Sequence, residues 1–402
     1  MHNYKKRPDH LRIRRPAWQA VLLLANFFCW PSVARAGGAA ELLAATPFEA
    51  GVAVVGGNYA FTHENYLIEG AKQLQRLHTP AIFIYLTNKY QEDYPDKGAG
   101  LFGQPTTLTE LAASPAYSQV FGMPFKAYVI TTLTFANGDA IFGTTKSQRD
   151  VAASERAEVH DLAKYLYTTY KGSHKLFILK NWETDWFGLR EYDPSKSITS
   201  QNIADLENWL KARQEGVAAA RAEAGDPDDV AVLHAVEVNR PLDWLEKRLP
   251  RVLNAVVPAV GADMITYSSY DATTQAPATM VSEFQMALDG IDRYAPDPLG
   301  LGRRRVLISE YGLFENEHAY AENDWRLHAI LDTASDWGTA GAFLWELYDN
   351  ECKLPDSSKR PLAVEPGDPA RPGDRDCRGL WLVKPDGLES VALNVLEKYW
   401  KW

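Results

Sequence analysis

The chain lacks the glycine-rich signatures of nucleotide-binding folds. Gly56-Gly57-Asn58 follows the first apolar run, but it is not G-x-G-x-x-G, and no acidic residue stands where a ribose would need it. No phosphate-binding loop and no internal repeat is found either. Cysteine is scarce, and no histidine stands near Cys352 or Cys377 at metal-ligand spacing. We therefore expect neither a cofactor nor a metal ion.

Uninterrupted apolar sequence long enough to span a bilayer is also missing. Residues 17–30 are apolar but too short to cross a membrane comfortably. Six basic residues precede this stretch, and Ala34-Arg35-Ala36 follows it as an A-x-A cleavage site. We predict that residues 1–36 are a signal peptide and that the protein is exported, to the periplasm or beyond. Arg14-Arg15 is a twin-arginine pair, but the residues around it match the signal for twin-arginine export poorly.

Positive charge is in short supply once this segment is removed. Residues 1–36 carry seven Lys/Arg and one Asp, so cleavage would change the formal net charge from −10 to −16. A surface this acidic repels phosphate backbones and anionic lipids. We therefore expect a partner that is neither nucleic acid nor membrane, and neutral or cationic substrates remain open. The oligomeric state is not indicated.

The mature chain would keep two cysteines, Cys352 and Cys377, near its C-terminus. The sequence between them is rich in Pro, Asp, Arg and Gly. In an oxidising compartment such a pair forms a disulfide more readily than it stays free. We predict this bond, whose loop of about 26 residues corresponds to roughly 3–4 kcal/mol of stabilisation by chain entropy.

Eight short apolar runs alternate with helical patterns over residues 37–402. The runs are rich in β-branched and aromatic residues, as in strands buried on both faces, and lie at 51–55, 81–86, 127–131, 176–179, 230–236, 264–267, 306–309 and 342–345. The helical patterns lie at 65–78, 149–170, 203–224, 241–257, 280–294, 324–337 and 389–400. Open doubly wound sheets usually have five or six strands. The count therefore predicts an α/β fold, a single (β/α)8 TIM barrel spanning residues 37–402.

Polar residues stand where several of these runs end, which is where a barrel carries its chemistry. Two of them are glutamates, Glu183 beyond run four and Glu310 beyond run seven. A pair of carboxyl groups, one protonated and one ionised, is what cleavage of a glycosidic bond requires. The further residues that we predict to contact substrate are Asn58, Asn181, Trp182, Glu237, Asn239, Tyr267, Tyr270, Trp345 and Glu346. Aromatic side chains are common platforms for sugars.

This arrangement resembles the clan A glycoside hydrolases, a group of retaining (β/α)8 glycosidases. The resemblance implies that Glu183 is the acid/base at strand four and that Glu310 is the nucleophile at strand seven. It also implies that Tyr267 or Tyr270 hydrogen-bonds the nucleophile and that Trp345 forms the floor of the sugar site. The likeness covers the mature chain at the level of strand order and does not single out a family.

One position departs from the pattern of the clan. Its members usually have Asn directly before the acid/base glutamate, whereas Trp182 stands between Asn181 and Glu183 here. Asp185 and Glu237 therefore remain open as alternative acid/base residues.

The function that we expect is an exported glycoside hydrolase that cleaves an oligo- or polysaccharide by double displacement. The two carboxyl groups should then lie about 5–5.5 Å apart. The alternatives are a non-catalytic carbohydrate-binding barrel, or a barrel enzyme of other chemistry such as Schiff-base catalysis by Lys180. The presence of both glutamates favours the hydrolase. The sugar, the linkage and endo or exo action depend on loop shapes that the sequence does not define.

Overall fold

Eight parallel strands form a closed barrel in the computed structural model, which describes residues 38–96, 98–353 and 364–400. The strands are β1 (Glu49–Ala53), β2 (Ala81–Thr87), β3 (Ala127–Leu133), β4 (Lys175–Lys180), β5 (Val230–Val238), β6 (Met264–Ser268), β7 (Val306–Tyr311) and β8 (Gly341–Leu344). Each strand pairs with the next, and β1 closes the barrel against β8. The predicted (β/α)8 TIM barrel is confirmed. The predicted signal peptide lies outside the described residues.

The helices lie between the strands and after them. They are α1 (Gly38–Ala45), α2 (Tyr66–Arg76), α3 (Tyr90–Asp93), α4 (Leu108–Ala112), α5 (Pro115–Phe121), α6 (Gln148–Thr169), α7 (Thr184–Leu189), α8 (Ser200–Ala224), α9 (Pro241–Lys247), α10 (Val252–Ala255), α11 (Val257–Val260), α12 (Tyr270–Thr273), α13 (Met280–Tyr294), α14 (Tyr320–Trp337) and α15 (Val391–Leu396), with 3-10 turns at Gly302–Arg305, Glu315–Glu317 and Asp374–Asp376. No helix in the described part of the chain is long and apolar enough to cross a membrane.

The predicted helix at 241–257 is wrong, because the structure has three short helices there, α9, α10 and α11. Arg248 ends α9 in the left-handed region, at φ 59°. Pro250 follows two residues later, and a proline disfavours helical geometry in the residue before it. The single-helix prediction fails because this local break outweighs the apolar spacing.

Alternation along the strands decides which side chains enter the barrel. Every strand residue is buried, because helices cover the outer face and side chains fill the interior. In β4, Phe177 faces outward and packs on Phe121 of α5, with ring centroids 5.6 Å apart. Lys180, three residues later, therefore points to the opposite face, into the barrel.

A register shift in β7 changes this alternation near the strand end. The pairing of β6 with β7 slips beyond Tyr267, so that Ser268 lies opposite Glu310. Ser309 and Glu310 are adjacent in sequence, yet both side chains reach groups inside the barrel. A bulge of this kind re-aims a side chain, and here it places Glu310 in the interior.

The predicted disulfide is present between Cys352 and Cys377. It joins the segment after β8 to a later segment that also contacts the barrel mouth. Asp349 holds that later segment, since one of its carboxylate oxygens accepts hydrogen bonds from the backbone N–H groups of Gly379 and Leu380, at 2.6 and 2.9 Å. The backbone N–H of Cys352 donates to Asn58, at 2.8 Å.

Candidate active site

A cavity of about 460 Å³ opens at the C-terminal ends of the strands. Its walls are formed by Val55, Gly56, Asn58, Tyr85, Trp182, Glu183, Tyr270, Thr274, Glu310, Phe314, Trp345, Asn350, Glu351 and Leu380. Six of the predicted site residues are among them: Asn58, Trp182, Glu183, Tyr270, Glu310 and Trp345. The cavity therefore lies at the end of the barrel that carries catalysis in this fold, and both predicted catalytic glutamates face it.

Glu183 is held at the start of α7 in an unusual backbone conformation. Its φ is 30° and its ψ is 62°, a left-handed geometry that is uncommon for residues other than glycine. Strain of this kind persists only where neighbouring groups enforce it. The backbone N–H of Glu183 donates to a carboxylate oxygen of Glu237 at 2.5 Å, which is one such restraint.

Trp182 and Asn181, the two residues that precede Glu183, lie in different surroundings. The ring of Trp182 lies on the cavity wall. Asn181 is fully buried away from the wall, where its amide donates to the hydroxyl of Thr184 and its carbonyl accepts the backbone N–H of Glu237 at 3.3 Å. Asn181 therefore ties the ends of β4 and β5 together, and the structure does not place it against substrate as predicted.

Glu310 lies across the cavity at the end of β7 and is 5 % exposed. One carboxylate oxygen accepts a hydrogen bond from the hydroxyl of Ser268 at 3.3 Å, and the other lies 3.6 Å from Nζ of Lys180. Its backbone carbonyl accepts the N–H of Ser269 at 2.8 Å. The carboxylate is thus fixed by a hydroxyl and a cation while it stays on the cavity wall.

Burial shifts the protonation of both glutamates in the same direction. Burial, with the charge of Glu237 and against the lowering effect of Lys180, raises the pKa of Glu183 to about 7. Burial also raises the pKa of Glu310, against the lowering effect of Lys180, while the charges of Glu237 and Glu183 add to the rise. The site therefore retains a proton near neutral pH, and an acid is available beside an ionisable second carboxyl.

Lys180 and Glu237 form an ion pair beneath the cavity, and both side chains are 0 % exposed. Lys180 Nζ lies 2.5 Å from Glu237 Oε1, which also accepts the hydroxyl of Ser309 at 2.9 Å. The ammonium group sits 4.8 Å from the ring centroid of Phe83. Glu237 was predicted to contact substrate, but it lies below the wall. A Schiff-base lysine needs a free amine facing substrate, which this ion pair does not provide.

Asp185 and Asn239 form buried hydrogen bonds with the backbone beside the site. The carboxylate of Asp185 is fully buried and accepts backbone N–H groups from Asn239, Arg240 and Val252, at 2.8, 3.1 and 2.8 Å. The side chain of Asn239 accepts the N–H of Asp185 at 3.2 Å. Neither lies on the cavity wall. The geometry removes Asp185 as an acid/base candidate and Asn239 as a substrate contact.

Tyr267 points away from the cavity, contrary to the prediction. Its hydroxyl donates to Asp271, and its ring packs on Phe284 of α13, with centroids 6.2 Å apart. The next residue, Ser268, faces the interior instead and makes the hydrogen bond to Glu310 that an aromatic was expected to make. Tyr270, the other residue proposed for this role, is on the cavity wall.

Glu346 follows Trp345 through a cis peptide bond and is fully buried behind the wall. Apart from a weak interaction with the backbone N–H of Val55, its carboxyl oxygens meet no hydrogen-bond partner among the described residues. Burial raises its pKa well above the usual range, and the charge of Asp349 adds to this shift. Burial thus favours the protonated form of Glu346, and its side chain is not part of the cavity wall as predicted for a substrate contact.

Several wall residues were not predicted from the sequence. Tyr85 lies within the continuous apolar run of β2, where no alternation marks the inward residues. Leu380 comes from the segment that Asp349 and the disulfide hold at the mouth, and Phe314 comes from the segment after β7. No local pattern identifies such residues, because long-range contacts bring them to the site.

No family model matches the chain, and no curated protein matches it significantly. Among solved structures, wild-type ZgEngAGH5_4 aligns with a TM-score of 0.51 and 12% identity over 91% of this chain and 98% of that one. A mutant glycoside hydrolase 5 lichenase from Caldicellulosiruptor sp. F32, in complex with cellotetraose, aligns with a TM-score of 0.50 and 10% identity, covering 90% and 95%.

A family 39 glycoside hydrolase from the gut symbiont Bacteroides cellulosilyticus WH2 aligns with a TM-score of 0.47 and 15% identity over 89% of this chain. The chain spans 64% of that protein, less than two thirds of its length. At such identities the likeness shows the barrel fold alone. The comparisons thus agree with the predicted barrel fold and assign no family.

Proposed function

We propose that the protein is a retaining glycoside hydrolase that cleaves an oligo- or polysaccharide. The observation that carries this proposal is that Glu183 and Glu310, from the ends of β4 and β7, line one cavity together with Trp182 and Trp345. Glycosidases use a pair of carboxyl groups, and aromatic side chains beside them commonly bind the sugar. In this fold the active site lies at the C-terminal ends of the strands.

In the proposed reaction Glu310 attacks the anomeric carbon while Glu183 gives its proton to the departing glycosidic oxygen. A glycosyl ester on Glu310 results. Glu183, now ionised, then takes a proton from water, and the hydroxide so formed displaces Glu310 with net retention of configuration. Burial raises the pKa of Glu183 to about 7 and that of Glu310 to about 8, so the pair holds a proton near neutral pH. The acid role of Glu183 in this proposal follows from its place at the end of β4. A carboxyl separation of about 5–5.5 Å remains our expectation for this mechanism.

The proposal includes export and a carbohydrate partner. The disulfide between Cys352 and Cys377 supports an oxidising compartment, because such bonds persist there. The basic and apolar segment before Gly37 supports cleavage by a signal peptidase. The acidic balance of the remaining chain supports a substrate without phosphate groups rather than nucleic acid or lipid.

The experiment is a screen of the purified protein against a panel of oligosaccharides, polysaccharides and aryl glycosides. We expect hydrolysis by the wild type and its loss, by at least about a thousandfold, in Glu310→Gln, because removal of a nucleophile blocks the covalent route. Glu397→Gln, a change to an exposed glutamate near the C-terminus, is the matched control and should keep full activity. Binding of a glycan without hydrolysis would favour the non-catalytic barrel instead.

A further inference from the structure

The ion pair beneath the cavity contacts both glutamates of the proposed pair. Lys180 Nζ reaches Glu310 at 3.6 Å as well as Glu237 at 2.5 Å. The second carboxylate oxygen of Glu237 accepts the backbone N–H of Glu183 at 2.5 Å. One buried cation and one buried anion therefore connect the two sides of the cavity from below.

The charges in this cluster do not balance. Among the described residues, Lys180 is the one cation that acts on the three carboxyl groups of Glu183, Glu237 and Glu310. Burial makes each unpaired charge in this region costly. The shorter contact of Lys180 is to Glu237, so Glu237 takes a share of the positive field that would otherwise act on Glu310. Lys180 therefore favours the ionised form of Glu310, and Glu237 weakens this effect of Lys180.

We propose that Lys180 and Glu237 are a pair of positioning residues with opposite electrostatic effects on the catalytic carboxyls. Lys180 stabilises the ionised form of Glu310, and Glu237 limits this effect while it fixes the backbone of Glu183. Neither touches the cavity, so both act through the two glutamates that do. This inference rests on the proposed glycosidase function and adds the means by which the charges of the pair are set.

Other titratable groups face Glu310 and must be counted. They are Glu183 from the end of β4, Tyr85 from β2, Tyr270 from α12 and Glu346 from the segment after β8. All of these are neutral or negative, and none supplies a positive charge. Among the residues that the structure describes around Glu310, Lys180 is the cation whose charge acts on its carboxylate.

Opposite effects give a sharp test with two variants. Lys180→Met removes the cation, so both limbs of the pH profile of kcat/KM should move to higher pH, by about one unit or more. Glu237→Gln removes the anion and leaves Lys180 to act on Glu310, so both limbs should move to lower pH. The apparent pKa values that define the two limbs belong to the coupled pair of glutamates, so the test is the direction in which these pKa values shift. A purely structural role would lower kcat/KM at all pH values without moving the limbs.

Two further variants separate charge from folding. Lys180→Arg keeps the cation and should hold the limbs near their wild-type positions. The double variant Lys180→Met/Glu237→Gln removes both charges, so no unpaired ion stays buried, and its limbs should lie between those of the single variants. The matched control is Asp263→Asn. It breaks another buried ion pair, that of Arg221 with Asp263, which directly precedes β6 at the opposite end of the barrel. It should leave the limbs in place.

A second measurement does not depend on turnover. The side-chain carboxyl carbons of Glu183 and Glu310 can be titrated by NMR in the wild type, Lys180→Met and Glu237→Gln, with assignments from Glu183→Gln and Glu310→Gln. We expect the Glu310 titration to move up in the first variant and down in the second. Unmoved titrations, or movement in the same direction in both, would overturn the inference even if the protein hydrolyses glycans. A protein that hydrolyses none would overturn the proposed function, and the titrations would still decide the electrostatic roles.

Discussion

The backbone N–H of Glu183 donates a 2.5 Å hydrogen bond to the carboxylate of Glu237, a fully buried residue of the neighbouring strand. This contact holds Glu183 in its left-handed conformation at the start of α7 and directs its side chain to the cavity. A buried carboxylate thus acts on the backbone of the proposed acid rather than on the substrate.

The first prediction concerns the alkaline side of the pH profile. The proposed acid must be protonated, and burial raises the pKa of Glu183 to about 7. We therefore expect kcat/KM to fall as the pH rises through about 7, approaching a tenfold loss for each further unit. Measurement with a substrate that has a poor leaving group tests this, because such a substrate needs proton donation. Activity that stays constant from pH 6 to pH 9 would assign the acid role to another group.

Ionisation of the buried Glu183 should also lower the free energy of unfolding at alkaline pH. Its pKa in the folded state, about 7, exceeds the ordinary value of 4.5, so the folded state binds this proton more tightly than the unfolded state does. The contribution of Glu183 to stability therefore declines between about pH 4.5 and 7 and stays low above that. We expect Glu183→Gln to be more stable than the wild type at pH 8, by on the order of 2 kcal/mol. The advantage should vanish near pH 4.

Urea unfolding of Glu183→Gln at the two pH values measures this difference. Glu397→Gln serves as the control, because its exposed position leaves no burial to relieve. Equal stability of Glu183→Gln and the wild type at pH 8 would mean that the carboxylate is solvated in the free protein.

The disulfide should stabilise both the fold and the cavity wall. Cys352 and Cys377 are 25 residues apart, a separation for which loop entropy gives roughly 3–4 kcal/mol. Leu380, three residues after Cys377, lies on the cavity wall, so loss of the bond should also weaken substrate binding and raise KM. We expect the double variant Cys352→Ser/Cys377→Ser to show both effects in thermal unfolding and in kinetics. Two reactive thiols in the purified wild type would contradict the bond.

The barrel could be predicted from the sequence because strands covered on both faces leave continuous apolar runs. All eight predicted runs coincide with strands, although β1 begins at Glu49, ahead of its run. The two glutamates on the cavity wall could be predicted for a related reason, since strand ends in a barrel converge on one mouth.

The face that each residue presents could not be predicted in the same way. Tyr267 and Ser268 differ by one position, and the alternation of the strand places the serine on Glu310 and the tyrosine on Asp271. A continuous apolar run carries no sign of which parity faces inward. The burial of Glu237 was equally hidden, because its partner Lys180 lies on another strand and the two meet only in the closed barrel.

The division of labour between Glu183 and Glu310 is the central claim, and rescue of Glu183→Ala by azide tests it most directly. Without the acid/base, hydrolysis of an aryl glycoside with a good leaving group should stop at the glycosyl ester on Glu310, because no base activates water. Azide needs no such activation, and we predict that it restores turnover and yields a glycosyl azide of retained configuration, followed by NMR of the product. A product of inverted configuration, or undiminished hydrolysis by Glu183→Ala without azide, would contradict the account.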